Sequence, residues 1–128
     1  MTGPGLVDIQ VNGFAGVDFN DAALTPAALD HALEAMLATG VTTCLPTIIT
    51  AHPAALKERF AALDTSVRES RLGRLMCPGY HLEGPFLNPE KGYCGCHPAE
   101  AMIAADPALV TELQGLVQRP ILLVTMAP

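Results

Sequence analysis

Apolar residues recur along this chain with two alternating periods. From Leu6 the sequence alternates, with Val7, Ile9 and Val11 on one face and Asp8, Gln10 and Asn12 on the other, the period of a β-strand that ends at Asn12-Gly13. Thr25-Pro26 then offers an N-cap and a first-turn proline, and Leu29, Leu33, Met36 and Leu37 share a helical face up to Gly40. The pair repeats. Val41 to Leu45 is rich in β-branched residues, and after Pro53 the spacing of Leu56, Phe60, Leu63 and Val67 is helical. A third strand is centred on Tyr80-His81-Leu82-Glu83. Asp106-Pro107 caps a helix carrying Leu109, Val110, Leu113, Leu116 and Val117, and Ile121 to Met126 forms a fourth, almost wholly apolar strand.

Strand starts near positions 6, 41, 79 and 121 leave room for the dozen or more residues that a parallel crossover needs, so the fold class is α/β. Such a sheet is either doubly wound and open or a piece of an eight-stranded β/α barrel, which typically takes about 250 residues. Four strands are half of one. The expectation is a single unit over residues 1–128, about the first four strands of a TIM-type barrel with their helices, ending with the fourth strand still uncovered and therefore truncated.

Composition sharpens this reading. Charged residues are 16% of the chain and hydrophobic ones 50%, with a mean hydropathy of +0.33, so little of the surface is built for water alone. A net charge of −6 without any basic run excludes the electrostatic footprint of a nucleic-acid binder. The N-terminus lacks the charged and apolar regions of a signal peptide, and no apolar stretch is long enough to span a membrane, so a cytoplasmic location is expected. There, Cys44, Cys77, Cys94 and Cys96 would be thiols rather than a disulfide framework.

Chemistry concentrates at the third strand. Gly79, His81 and Glu83 share one face, and Gly84-Pro85 turns the chain at the strand's C-terminal end, where parallel β/α folds build their sites. A carboxylate there can bind a metal, act as a general base or close an ion pair. Gln10 and Asn12 share a face near the same end of the first strand; they line a pocket on one reading and mark a turn on the other. Cys94, Cys96 and His97 offer soft donors for zinc, but Cys-x-Cys-His is an uncommon arrangement for a four-ligand site. His31 and His52 read as helix-surface and helix-entry residues. Gly13-Phe14-Ala15-Gly16 is no dinucleotide fingerprint, and Ser66 and Ser70 lack a nucleophile elbow.

Three stretches together carry a resemblance: Pro4 to Gly13, Gly40-Val41-Thr42-Thr43 with Pro46-Thr47, and above all His81-Leu82-Glu83-Gly84-Pro85-Phe86-Leu87-Asn88-Pro89-Glu90-Lys91. In this order and spacing the chain resembles the N-acetylglucosamine-6-phosphate deacetylases of the amidohydrolase superfamily. The resemblance implies Glu83 as a ligand of one catalytic divalent metal, zinc foremost, with iron, cobalt or manganese as alternatives. It implies Cys96, through its backbone, and His97, through its side chain, as substrate contacts, with Gln10, Asn12 and His81 lining the pocket. Gly92-Tyr93-Cys94 are extra relative to the family's pattern and loosen the placement of Cys96 and His97. The family's two histidine ligands and its catalytic aspartate would lie beyond Pro128, so no catalytic residue is expected in this chain. The implied reaction removes acetate from N-acetylglucosamine 6-phosphate, the complete enzyme being a homodimer. Two rival readings stay open: a non-catalytic half-barrel that associates with another chain, and an open-sheet module that binds sugar phosphate without turnover.

Overall fold

The apolar stripes fold against one parallel sheet. In a computed structural model, residues 3–127 are described, while Met1, Thr2 and Pro128, and with them the expectations about a leader and the chain's end, lie outside the described residues. Four strands form the sheet: β1 (Leu6–Val11), β4 (Val41–Ile49), β5 (Tyr80–Glu83) and β6 (Ile121–Thr125), each parallel to its neighbour and arranged in chain order. That order decides between the two architectures left open above. A doubly wound sheet reverses its strand order at a switch point, whereas a barrel lays successive strands side by side.

Helices α1 (Pro26–Ala38), α2 (Pro53–Glu69), α3 (Gly73–Met76) and α4 (Pro107–Leu116) fill the crossovers. Thr25 caps α1 by accepting from the Ala28 amide, Asp106 caps α4 by accepting from the Ala108 amide, and proline opens α1, α2 and α4. Leu29, Leu33, Met36, Leu56, Phe60, Leu63, Val67, Leu109 and Leu113 are buried in one core with Cys44, Ile48, Tyr80 and Leu82 from the strands. Leu37 and Leu116, placed on the apolar stripes by periodicity, lie at their edges and are exposed. Among the described residues no helix is long and apolar enough to cross a membrane.

Three features differ from the expected pattern. A hairpin of β2 (Gly13–Phe14) and β3 (Val17–Asp18) follows β1, turning through Ala15 and Gly16, both at positive φ. Second, β4 continues past Leu45 to Ile49, through Pro46. Proline cannot donate to a ladder, and the β1–β4 register is irregular there; the Val11 amide donates instead to the Thr47 hydroxyl at 3.0 Å. Third, the apolar alternation of β1 does not mark a buried face. Val11 is buried, but Leu6, Val7 and Ile9 are 57–63% exposed, because β1 is an edge strand and no described element packs over them.

Candidate active site

The C-terminal ends of the four strands gather most of the polar groups that the sequence singled out. His81, one residue into β5, is buried and touches every other strand of the sheet: its Nδ1 lies 3.0 Å from the Ile9 carbonyl and 3.4 Å from the Thr47 hydroxyl, and its Nε2 lies 2.8 Å from the Thr125 hydroxyl. Because a carbonyl only accepts, Nδ1 carries the proton, and Thr125 donates to the bare Nε2. Burial holds this imidazole below its usual range, against the opposing pull of the Ile9 carbonyl and the Glu83 charge, so the ring is a neutral brace across the sheet.

Two residues on, Glu83 ends β5 with its side chain 16% exposed. It turns neither outward to bulk solvent nor onto an arginine. Its side-chain neighbour is His97, whose Nε2 lies 3.8 Å from Oε1, and the Nδ1 of that same imidazole lies 2.9 Å from the Thr50 hydroxyl at the end of β4. Thr50 in turn donates to the Glu83 backbone carbonyl at 3.2 Å. Gly84, at φ 79°, permits this closeness, since a Cβ on it would overlap the Thr50 hydroxyl.

His97 reaches Glu83 from a long loop, and the extra Gly92-Tyr93-Cys94 do not prevent it. The Tyr93 and Cys94 amides both donate to the Glu90 carbonyl, and the His97 amide donates to the Cys94 carbonyl. These turns take up the added residues as an exposed bulge, with Tyr93 75% accessible, and bring His97 back to the strand ends. Cys96 is exposed and Cys94 partly so. The loop after Glu83 is also tied down, since Ala127 donates to the Phe86 carbonyl and Ile103 to that of Pro85.

Gln10 and Asn12 are exposed at the mouth of β1. The Asn12 carbonyl accepts from the Phe19 amide, and the Asn20 side-chain amide donates to the Thr47 carbonyl at 3.0 Å. Asn20 Oδ1 accepts from the Ile49 amide, stapling the hairpin to β4. Asn20 and Thr50 carried no signal in the sequence, because both act through contacts across more than 25 positions of chain.

Among the described residues, no three His, Cys, Asp or Glu side chains converge on one point. The soft cluster of Cys94, Cys96 and His97 is therefore not formed. What exists is a carboxylate beside an imidazole, a donor pair of the kind that suits zinc and its neighbours, short of the three or four ligands that a tight site uses. This half of a donor set faces the end of the sheet where parallel β/α proteins bind their ligands.

No protein-family model matches the chain. It is 35% identical to an N-acetylglucosamine-6-phosphate deacetylase of Caenorhabditis elegans, an alignment covering 98% of this chain and 31% of the relative. It is 32% identical to an N-acetylgalactosamine-6-phosphate deacetylase of Escherichia coli O157:H7, covering 98% and 32%. Among solved structures, a mutant N-acetyl-D-glucosamine-6-phosphate deacetylase of Mycobacterium smegmatis, in complex with N-acetyl-D-glucosamine-6-phosphate, superposes with a TM-score of 0.82 at 30% identity, covering 98% of this chain and 30% of the other. These structural neighbours are TIM-type barrels, and the four-stranded parallel sheet corresponds to a part of one. In sequence and in fold alike, the chain resembles the N-acetylglucosamine-6-phosphate deacetylases, of whose length it spans about a third.

Proposed function

We propose that this chain supplies part of the active site of a metal-dependent deacetylase acting on N-acetylglucosamine 6-phosphate, releasing acetate and glucosamine 6-phosphate. One observation carries the reading: Glu83 stands at the C-terminal end of a central parallel strand, in the reach of His97 and away from any arginine.

In this reading Glu83 is one ligand of a divalent cation, with zinc the foremost candidate and iron, cobalt or manganese accepted according to supply. The cation, when bound, polarises the amide carbonyl and lowers the pKa of water towards neutrality. Further ligands and the proton-shuttling group come from outside the described residues, because these contain no third donor near the pair. His97 holds the amino sugar so that its acetamido group meets the cation, a contribution made through orientation. Cys96 offers its backbone to the same ligand, and Gln10, Asn12 and His81 shape the wall around it.

The exposed Leu6, Val7 and Ile9 favour a second reading, in which the chain does its work only beside another polypeptide. Acetate release and metal content, measured on the same preparation, separate the two. The deacetylase reading expects a divalent metal retained by the wild type and lost in Glu83→Gln, with turnover present only where the rest of the ligand set is supplied. Equal metal content in wild type and Glu83→Gln would overturn the assignment. Assaying N-acetylgalactosamine 6-phosphate in parallel tests the sugar, since relatives of both kinds resemble this chain.

A further inference from the structure

Cys44 and Cys77 lie 33 positions apart in the chain, yet their sulfurs are 3.7 Å apart and both residues are fully buried. Cys44 belongs to β4, while Cys77 follows α3 and leads into β5. Both are free thiols, and a disulfide would bring their sulfurs to about 2.05 Å, a gap that side-chain rotation can close. Their shelter differs. Cys44 sits inside a nine-residue strand, whereas Cys77 caps α3, a single turn of four residues with Leu75 78% exposed, and is followed by the exposed Pro78. So short an element has few bonds to break, and its opening uncovers Cys77 while Cys44 stays beneath it. Arg119 stands at the same turn, its Nη2 donating to the Arg74 carbonyl at 3.0 Å. In the closed fold the Cys44 contact and burial keep the Cys77 thiol protonated, and the Arg119 charge pulls the other way. Opening removes the first two and leaves the guanidinium, the kind of neighbour that favours a thiolate.

We propose that Cys44 and Cys77 form a reversible disulfide site, which staples the approach to β5 onto β4 when a small-molecule disulfide is the oxidant. The Cys77 thiolate attacks one sulfur of that oxidant, whose S–S bond breaks and releases one small thiolate, leaving a mixed disulfide on Cys77. Cys44, its proton passing to solvent, then attacks the Cys77 sulfur and expels the second small thiolate. Two protein thiols are oxidised to one disulfide, and the oxidant is reduced to two small thiols. The bond closes a loop that contains α2 and α3, so the oxidised chain loses freedom in its unfolded state and holds α3 shut in its folded one. Neither Glu83 nor His97 takes part, so the site is independent of the deacetylase reading.

The test uses the whole chain with Cys94→Ser and Cys96→Ser, which leaves Cys44 and Cys77 as its two cysteines. It is equilibrated in buffers of reduced and oxidised glutathione, with and without urea, and free thiols are then alkylated. Intact mass gives the fraction that escapes alkylation, and a digest that joins the Cys44 and Cys77 peptides identifies the bond. Because native packing already holds the sulfurs in contact, the equilibrium constant for the bond should be at least about tenfold larger in the folded chain than in urea. Adding Cys44→Ser should halt the reaction at a glutathione adduct on Cys77. The bonded chain should melt several degrees higher, and dithiothreitol should reverse the shift. A constant no larger in the folded chain than in urea shows that the packing opposes the bond and overturns the proposal, as does a Cys77 that takes no adduct in the Cys44→Ser chain.

Discussion

Residues buried at opposite ends of the sheet do different work. Asp64, 3% exposed on α2, accepts from Tyr80 Oη at 2.7 Å and from the Gln118 amide at 3.1 Å, and pairs with Arg68 at 2.9 Å. It closes the end of the sheet where β5 begins, away from Glu83. Asp64→Ala leaves a buried hydroxyl and an amide without a partner, a loss of about 3 kcal/mol that a denaturant titration will read. Cys77 makes a second prediction. Its sulfur sits 3.7 Å from that of Cys44, and this contact together with burial pushes the thiol far above its usual range. The unfolded chain ionises Cys77 near the ordinary thiol value of about 8.5, so above that pH the unfolded state binds fewer protons than the native one. Stability therefore falls as pH rises beyond about 8.5 and is unaffected by Cys77 below it. Melting temperatures measured from pH 7 to 10 will show this slope, reduced in Cys77→Ala; equal slopes would contradict it. Glu83 was legible in the sequence from strand register and the Gly84-Pro85 turn. Asp64 was not, because a carboxylate four residues before Arg68 reads as a solvated helix pair until the Tyr80 contact is known.

Elements were legible in proportion to the length of their period. The helices and the sheet strands span enough residues for a stripe or an alternation to show, and their caps follow from Thr25 and Asp106. The hairpin β2–β3 has two residues per strand, fewer than one full alternation, and α3 has barely one turn, so neither leaves a periodic trace. The extension of β4 was hidden by Pro46, which cannot donate to the ladder; beside it the Thr47 hydroxyl accepts from the Val11 amide. Where β5 leaves the sheet, Gly84 joins element geometry to the site. Gly84→Ala would hold a side chain at positive φ and press on Thr50, at a cost of about 1–3 kcal/mol. The melting temperature should fall and the His97 ring resonances should move, whereas an unchanged His97 would show that the contact with Thr50 does not hold the loop.

At the scale of the whole molecule, strand order says most about architecture and surface composition most about association. Four parallel strands in chain order fit a barrel segment, as the resemblance to TIM-type deacetylases bears out. Leu6, Val7 and Ile9 on the edge strand β1, with Leu122 on β6, leave apolar side chains in water. Exposed edge strands of this kind pair with other chains. Light scattering should therefore give a mass that rises with concentration and returns towards the monomer in the double variant Val7→Lys, Ile9→Glu; a wild-type mass that stays monomeric at every concentration would contradict this.

The central claim is that a cation belongs at the ends of these strands, beside Glu83. Adding a trace of Mn²⁺ to the isotope-labelled chain and following paramagnetic line broadening tests it most directly. The account predicts that Glu83, Gly84, Thr50 and His97 broaden first, and that Glu83→Gln abolishes the effect. Broadening centred on the surface carboxylates of α1 or α2, with Glu83 and His97 left sharp, would contradict it.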